Sequence, residues 1–160
     1  NKEFFIISAS LSSLAGSLFF GSGKLLLGRL LLRSYLYQNL PYDLYIAFTK
    51  KHSISKEMVL KSVYKDNHPN HFLASYVPFL VTHKMHPFVK ELVQKEFKCY
   101  LETHLLSHPL CHDYSISFIG SVAFYFQDII KVLCEEYNLE IAEFVRFPIH
   151  SLINFHINNK

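Results

Sequence analysis

Residues 115–126, SISFIGSVAFYF, constrain the fold of this chain more than any other stretch. The first five residues are typical of a short buried strand, and Gly120 and Ser121 end that strand and lead at once into a helical pattern. A strand that turns into a helix at glycine presents bare backbone and the positive end of a helix dipole, which is a common nucleotide-binding arrangement in α/β proteins. The same turn is also a frequent plain connection between elements, so alone it decides little about chemistry.

The composition predicts one domain with a real core and excludes a disordered chain. Half of the 160 residues are hydrophobic and 16% are aromatic. Charged residues are only 18%, which predicts that apolar surface is covered by a second domain, a partner or a membrane. The net charge of +3 is too small and too mixed to favour nucleic acid as a partner. The aromatic surface also allows a homodimer.

The cysteines predict the compartment. Cys99, Cys111 and Cys134 are odd in number and irregularly spaced, so a disulfide framework is not expected and a reducing cytoplasm is favoured.

An uncharged stretch near the start, residues 4–23, raises the alternative of a signal peptide or membrane anchor. Six serines and three glycines interrupt it. Its apolar parts, residues 4–7 and 18–20, are short, which favours two strands joined by a serine-rich turn.

The remaining pattern alternates between helices and strands. Ser55 is expected to cap a helix, Pro78 to kink or break one, and Asn138 to end one in a left-handed conformation. The predicted helices cover residues 24–37, 42–51, 56–64, 71–83, from 87 onward, from the Gly120 turn to 137, and from 148 onward; a strand is predicted over 140–145. This order predicts an α/β fold with a short sheet and a large helical layer.

A phosphate loop is tempting at Gly21-Ser22-Gly23-Lys24, but the pattern fails. It needs a glycine at position 18, where Leu18 stands, and Ser or Thr after the lysine, where Leu25 stands. What remains is a glycine-rich turn into a helix, whose amides can face a ligand.

Metal and catalytic motifs are weak throughout. Among the ten histidines, pairs such as His83/His86 and His104/His108 have helical spacing, but zinc needs four converging ligands. Surface and helix-capping roles are therefore predicted, and no metal ligand is assigned. No nucleophile motif or carboxylate pair stands out either, so no catalytic residue is assigned.

Four segments in order resemble one known family. They are Gly21-Ser22-Gly23 before a leucine-rich helix, PNHFLAS with PF at residues 69–75 and 78–79, FIGSVA at 118–123, and residues 148–156. Together they resemble the C-terminal half of the BadF/BadG/BcrA/BcrD-type ATPases, in particular the bacterial N-acetylglucosamine kinase-like branch. The resemblance runs over roughly residues 8–159. The other branch of the family carries an iron–sulfur cluster, for which the cysteine spacing offers no match.

The resemblance implies an actin-like, ribonuclease H-like ATPase fold of two similar domains, with ATP and an amino sugar in the cleft between them. Residues 1–160 would be a single domain, the C-terminal nucleotide-binding half, and the N-terminal half would be its missing partner. Gly120, Ser121 and Val122 would bind the adenosine of Mg²⁺-ATP. Gly21, Ser22 and Gly23 would line the cleft near the sugar or the phosphates.

Two departures from the family pattern keep an alternative open. The family has an acidic pair directly before Gly-Ser-Gly, where this chain has Phe19 and Phe20. The first phosphate motif and the general base belong to the N-terminal half, which is outside this sequence. The alternative is therefore a truncated or degenerate relative that serves as a non-catalytic binding or structural module.

Overall fold

The chain divides into two compact units. The computed structural model describes residues 5–8, 23–64 and 69–147, the first of these ranges by its backbone alone. The sheet unit comprises Asn1–Ser10 and Glu91–Lys160, and the helical unit comprises Leu11–Lys90. That residues 1–160 form a single domain stays a prediction.

The sheet unit is built on a parallel sheet in the order β1 (Phe5–Ser8), β2 (Ile116–Ile119) and β3 (Ile141–Val145). Ile116, Ser117 and Phe118 are buried, so the short apolar run before Gly120 is the buried strand that the sequence predicts. The described residues form an α/β structure, as expected.

The connection from β2 to β3 is helical but not continuous. It consists of α7 (Ser121–Tyr125) and α8 (Gln127–Glu136), so the prediction of one helix up to residue 137 is wrong. The chain leaves helical geometry at Phe126, with φ −106° and ψ 21°, and buries that side chain almost completely. The Gln127 side-chain amide donates to the Phe124 carbonyl oxygen at 3.1 Å and so occupies an acceptor at the end of α7.

Two other helix boundaries have clear local causes. Asn138 ends α8 with a φ of 53°, which confirms the predicted left-handed stop. Upstream, α6 (Pro87–Tyr100) begins at proline as predicted and passes into a π-helical segment, Leu101–Leu105. Leu101 and Leu105 are both buried.

The helical unit contains short helices in close succession. They are α1 (Gly23–Leu36), α2 (Tyr42–Lys51), α3 (Lys56–Tyr64), α4 (Pro69–Ala74) and α5 (Val77–Thr82). The predicted helix over 71–83 breaks at Ser75 and Tyr76, and Pro78 lies in the first turn of α5, where a missing N–H costs nothing. Pro69 and Asn70, which precede the predicted helix over 71–83, belong to α4.

The predicted cap of α3 is confirmed. The Met58 amide donates to the Ser55 hydroxyl oxygen at 3.1 Å. The same helix buries only some of its apolar side chains, since Val59 is buried whereas Met58 is exposed.

Close backbone packing and aromatic rings form the core of the helical unit. Gly28 on α1 lies so near α4 that a Cβ atom there would overlap the carbonyl oxygen of Leu73. Phe48 is fully buried, and its ring centroid lies 4.9 Å from that of Tyr35 and 5.0 Å from that of Phe79.

The anchor alternative for residues 4–23 falls largely outside the described ranges. Of the helices in those ranges, none has the length and apolar character to span a bilayer.

Candidate functional site

The turn between β2 and α7 has a backbone that glycine alone adopts readily. Gly120 has φ 125° and ψ 158°, a combination that strains any residue with a Cβ atom. Gly120 and Ser121 are half-buried, whereas Val122 is buried. The turn is therefore partly exposed to solvent, and the buried Val122 side chain fixes the start of the helix next to it.

Backbone hydrogen bonds fix this turn on both sides. The Gly120 amide donates to the Val145 carbonyl oxygen at 2.8 Å, and the Phe124 amide donates to the Gly120 carbonyl oxygen at 3.0 Å. The Gly120 N–H is thus already used in extending the sheet. What this residue can offer a ligand is a Cα atom without a side chain, against which a flat group can pack closely.

The position of the turn in the sheet matters for ligand binding. Ile119 is the last residue of β2, and its neighbour in register, Val145, is the last residue of β3. The carboxyl ends of two parallel strands therefore meet at the Gly120 turn. This is the edge of an open α/β sheet at which ligands bind.

A positively charged residue, Arg146, directly follows β3 at this edge, and it was not among the predicted site residues. The Arg146 guanidinium carbon lies 4.9 Å from the ring centroid of Tyr125 on α7 and 4.7 Å from that of Phe147. Both distances are within the range of a cation–π interaction. The available signal was an arginine immediately after a predicted strand, but only the strand pairing places it beside the Gly120 turn.

Stacked rings support the same two strands. Phe118 on β2 and Phe144 on β3 are register partners, with ring centroids 5.2 Å apart and ring planes 13° apart. The Lys131 ammonium on α8 lies 5.7 Å from the Phe144 centroid. These contacts hold β2, β3 and α8 together close to the turn.

The second predicted segment is described only in part. Gly23 is the first residue of α1 and is buried in the helical unit. Gly21 and Ser22 lie outside the described residues, as do Phe19 and Phe20. A sugar-binding role for residues 21–23 stays a prediction, and so does a nucleotide role for Gly120, Ser121 and Val122.

Several histidines have the capping roles expected of them. The His86 Nδ1 atom accepts a hydrogen bond of 3.1 Å from the Phe88 amide at the start of α6, and the His86 Nε2 atom lies 3.1 Å from an Asp43 carboxylate oxygen. Across residues 23–64 and 69–147, no three His, Cys, Asp or Glu side chains are grouped closely enough to hold a metal ion.

Two of the three cysteine thiols, those of Cys111 and Cys134, are buried, whereas that of Cys99 is exposed. Burial raises the pKa of Cys134 to about 11, so this side chain is a neutral thiol at neutral pH.

Comparison with known proteins adds a structural similarity. No protein-family model and no curated protein matches the chain. Among solved structures, it is similar to the "putative N-acetylglucosamine kinase" of Porphyromonas gingivalis, with 28% sequence identity and a TM-score of 0.83. The similarity covers 98% of this chain and 60% of that protein, so the chain spans about three fifths of its length. The chain is thus similar in structure to a protein described as a sugar kinase.

Proposed function

We propose that this chain is the ATP-binding C-terminal half of an actin-like sugar kinase that acts on N-acetylglucosamine or a related amino sugar. One observation carries the proposal. A glycine-only turn stands at the carboxyl ends of two parallel strands, in a chain that is similar over almost its whole length to the P. gingivalis protein. The four family segments in the sequence support the same assignment.

In this proposal the Gly120 turn binds the adenosine of ATP. The purine or ribose packs against the Cα surface of Gly120 and the backbone of Ser121, while the buried Val122 side chain keeps the start of α7 fixed beneath them. A side chain at position 120 would occupy that surface and strain the turn at the same time.

Mg²⁺ would enter with the nucleotide, as the family resemblance implies. The described residues supply no group of three His, Cys, Asp or Glu side chains that fits it. We therefore assign it no residue and no step.

The reaction is phosphoryl transfer from ATP to a sugar hydroxyl, which depends mainly on positioning and on stabilising charge. This chain would hold the nucleotide, and residues 21–23 would lie near the sugar or the phosphates. The general base and the first phosphate turn would come from the N-terminal half, which we propose as the partner domain. The compartment would be the cytoplasm.

The activity is tested by incubating the protein, together with its proposed N-terminal half, with Mg²⁺-ATP and N-acetylglucosamine, and with glucosamine and glucose as matched acceptors. Mass spectrometry of the sugar and release of ADP report the transfer. We expect phosphorylation of the N-acetylated sugar in preference to glucose. Transfer to none of the three sugars would exclude the kinase assignment.

The presence of Phe19 and Phe20, where the family has an acidic pair, favours a second candidate, a non-catalytic module that keeps the fold. Two phenyl rings cannot bind a sugar hydroxyl or a hydrated metal ion through hydrogen bonds. ATP binding without phosphoryl transfer to any sugar is the result that this candidate predicts. A homodimer, which light scattering tests, is compatible with either candidate.

A further inference from the structure

Arg146 stands at the carboxyl edge of the sheet, one residue beyond the hydrogen bond that closes the Gly120 turn. Val145 accepts that bond from the Gly120 amide at 2.8 Å, and Arg146 follows it directly. Because this bond fixes the end of β3 against the turn, the Arg146 backbone is held close to the proposed nucleotide site.

The side chain of Arg146 packs against the end of α7. Its guanidinium carbon lies 4.9 Å from the centroid of Tyr125, the last residue of α7. Tyr125 lies four residues after Ser121, which corresponds to a rise of about 6 Å along a helix. The residue that the guanidinium contacts therefore lies about one helical turn from Ser121, at which adenosine is proposed to pack.

Aromatic rings position this cation without using up its donors. Tyr125 and Phe147 attract the guanidinium through their ring faces, whereas the N–H groups of a guanidinium lie in its own plane. Arg146 is an exposed residue, so its in-plane donors can reach a ligand from solvent. Two parallel N–H donors with a fixed geometry are suited to the oxygens of a phosphate.

We propose that Arg146 is a nucleotide-binding residue whose guanidinium pairs with the phosphates of ATP bound at the Gly120 turn. The proposal rests on the proposed function, since it needs a nucleotide at that turn. It adds a residue that recognises the charged part of the ligand, whereas Gly120 and Ser121 contact its uncharged part.

The test compares ATP with adenosine, because only ATP carries phosphates. Binding of each is measured by calorimetry on the intact protein and on Arg146→Gln. Lys131→Gln is the matched control, since Lys131 is also an exposed cation within 6 Å of an aromatic centroid in the same unit. Thermal unfolding of each variant reports whether the fold is kept.

We expect Arg146→Gln to weaken ATP binding about tenfold, the size of effect associated with a charge-assisted hydrogen bond, and to leave adenosine binding within about twofold. The ATP affinity of Arg146→Lys should lie between those of the unaltered protein and Arg146→Gln, because lysine keeps the charge and loses the planar pair of donors. Lys131→Gln should change neither affinity.

Four results would overturn the proposal. Unchanged ATP binding in a folded Arg146→Gln variant removes Arg146 alone and leaves the proposed function standing. Equal weakening of ATP and adenosine, or an equal effect of Lys131→Gln, rules out a specific phosphate contact. No binding of ATP by the unaltered protein rejects the nucleotide site, and the role of Arg146 with it.

Discussion

Gly120 lies one residue past the end of β2, and its amide donates a hydrogen bond of 2.8 Å to the carbonyl oxygen of Val145. The bond extends the sheet into the turn, so Gly120 is fixed by strand pairing even though its φ of 125° departs from strand geometry. The turn is therefore a preformed feature of the sheet. A ligand that packs on it need not spend binding free energy on ordering it.

Gly28 is predicted to be essential for the packing of α1 on α4. Alanine has the higher helix propensity, by about 1 kcal/mol, but its Cβ atom would overlap the Leu73 carbonyl oxygen. We expect Gly28→Ala to lower the free energy of unfolding by about 2 kcal/mol, as overpacking does in a close-packed core. Urea denaturation measures the change.

The matched control for that experiment is the next residue, Arg29, which is exposed on the same helix. Arg29→Ala should change the stability by less than about 0.5 kcal/mol, as surface substitutions usually do. A Gly28→Ala variant as stable as Arg29→Ala would show that the two helices do not approach as closely as described.

His86 is predicted to be a helix cap with a defined tautomer. Because its Nδ1 atom accepts the Phe88 amide, the neutral ring carries its proton on Nε2, facing the Asp43 carboxylate. Nitrogen NMR should therefore find an unprotonated Nδ1 atom. A proton on Nδ1 in the neutral ring would contradict the cap.

The two contacts of His86 should differ in their contribution to stability. His86→Ala removes the cap and should lower the free energy of unfolding by about 1 kcal/mol. Asp43→Ala removes only the contact of the His86 ring with an exposed carboxylate and should cost less, about 0.5 kcal/mol or below. Thermal unfolding of the two variants side by side ranks the contacts, and the reverse order would be inconsistent with a cap.

Tyr137 is predicted to resist ionisation. Its hydroxyl donates a hydrogen bond of 2.6 Å to Glu102 in the π-helical segment. This bond raises the pKa of Tyr137 to about 12, with further contributions from burial and from the charges of Glu102 and Glu136. Since the folded state holds the proton more tightly than the unfolded chain, the stabilising effect is complete below pH 10 and is lost as the pH rises toward 12.

The test follows phenol ionisation by ultraviolet absorbance, with Tyr137→Phe used to identify the signal. Glu102→Gln should move the Tyr137 midpoint down toward its ordinary value. Glu136→Gln is the matched control and should move it less, because Glu136 acts through charge alone. Equal shifts in the two variants would show that the hydrogen bond is not the main cause.

Local signals in the sequence predicted most element boundaries. Ser55, Pro87 and Asn138 mark helix ends through effects confined to a few neighbouring residues, and the structure has those ends within a residue or two. The buried strand before Gly120 was likewise predictable from its short apolar run.

Features that depend on distant contacts were not predictable. Nothing local at Phe126 marks the break between α7 and α8, which accompanies the burial of that side chain. Met58 has the right spacing for an apolar face and is still exposed, because spacing does not reveal how far neighbouring helices cover a face. Gly28 looks unremarkable in the sequence, since its role comes from the backbone of α4.

One part of the candidate site was predictable from local sequence signals, and another part was not. The Gly120 turn could be located from the sequence, because glycine between a strand and a helix is a local signal. Arg146 could not, because its place beside Tyr125 follows from the parallel pairing of β2 with β3.

Calorimetric titration of ATP into the intact protein and into Gly120→Ala is the decisive test of a nucleotide site at the Gly120 turn. Asn138→Ala is the matched control for strain, because Asn138 also has a positive φ, 53°, in the same unit. Each substitution should destabilise the fold, by about 1 to 3 kcal/mol at Gly120 and by about 1 kcal/mol at Asn138. We expect the unaltered protein and Asn138→Ala to bind ATP, and Gly120→Ala to bind it at least about tenfold more weakly while still folded. Equal ATP affinity in Gly120→Ala, or no binding by the unaltered protein, would contradict it.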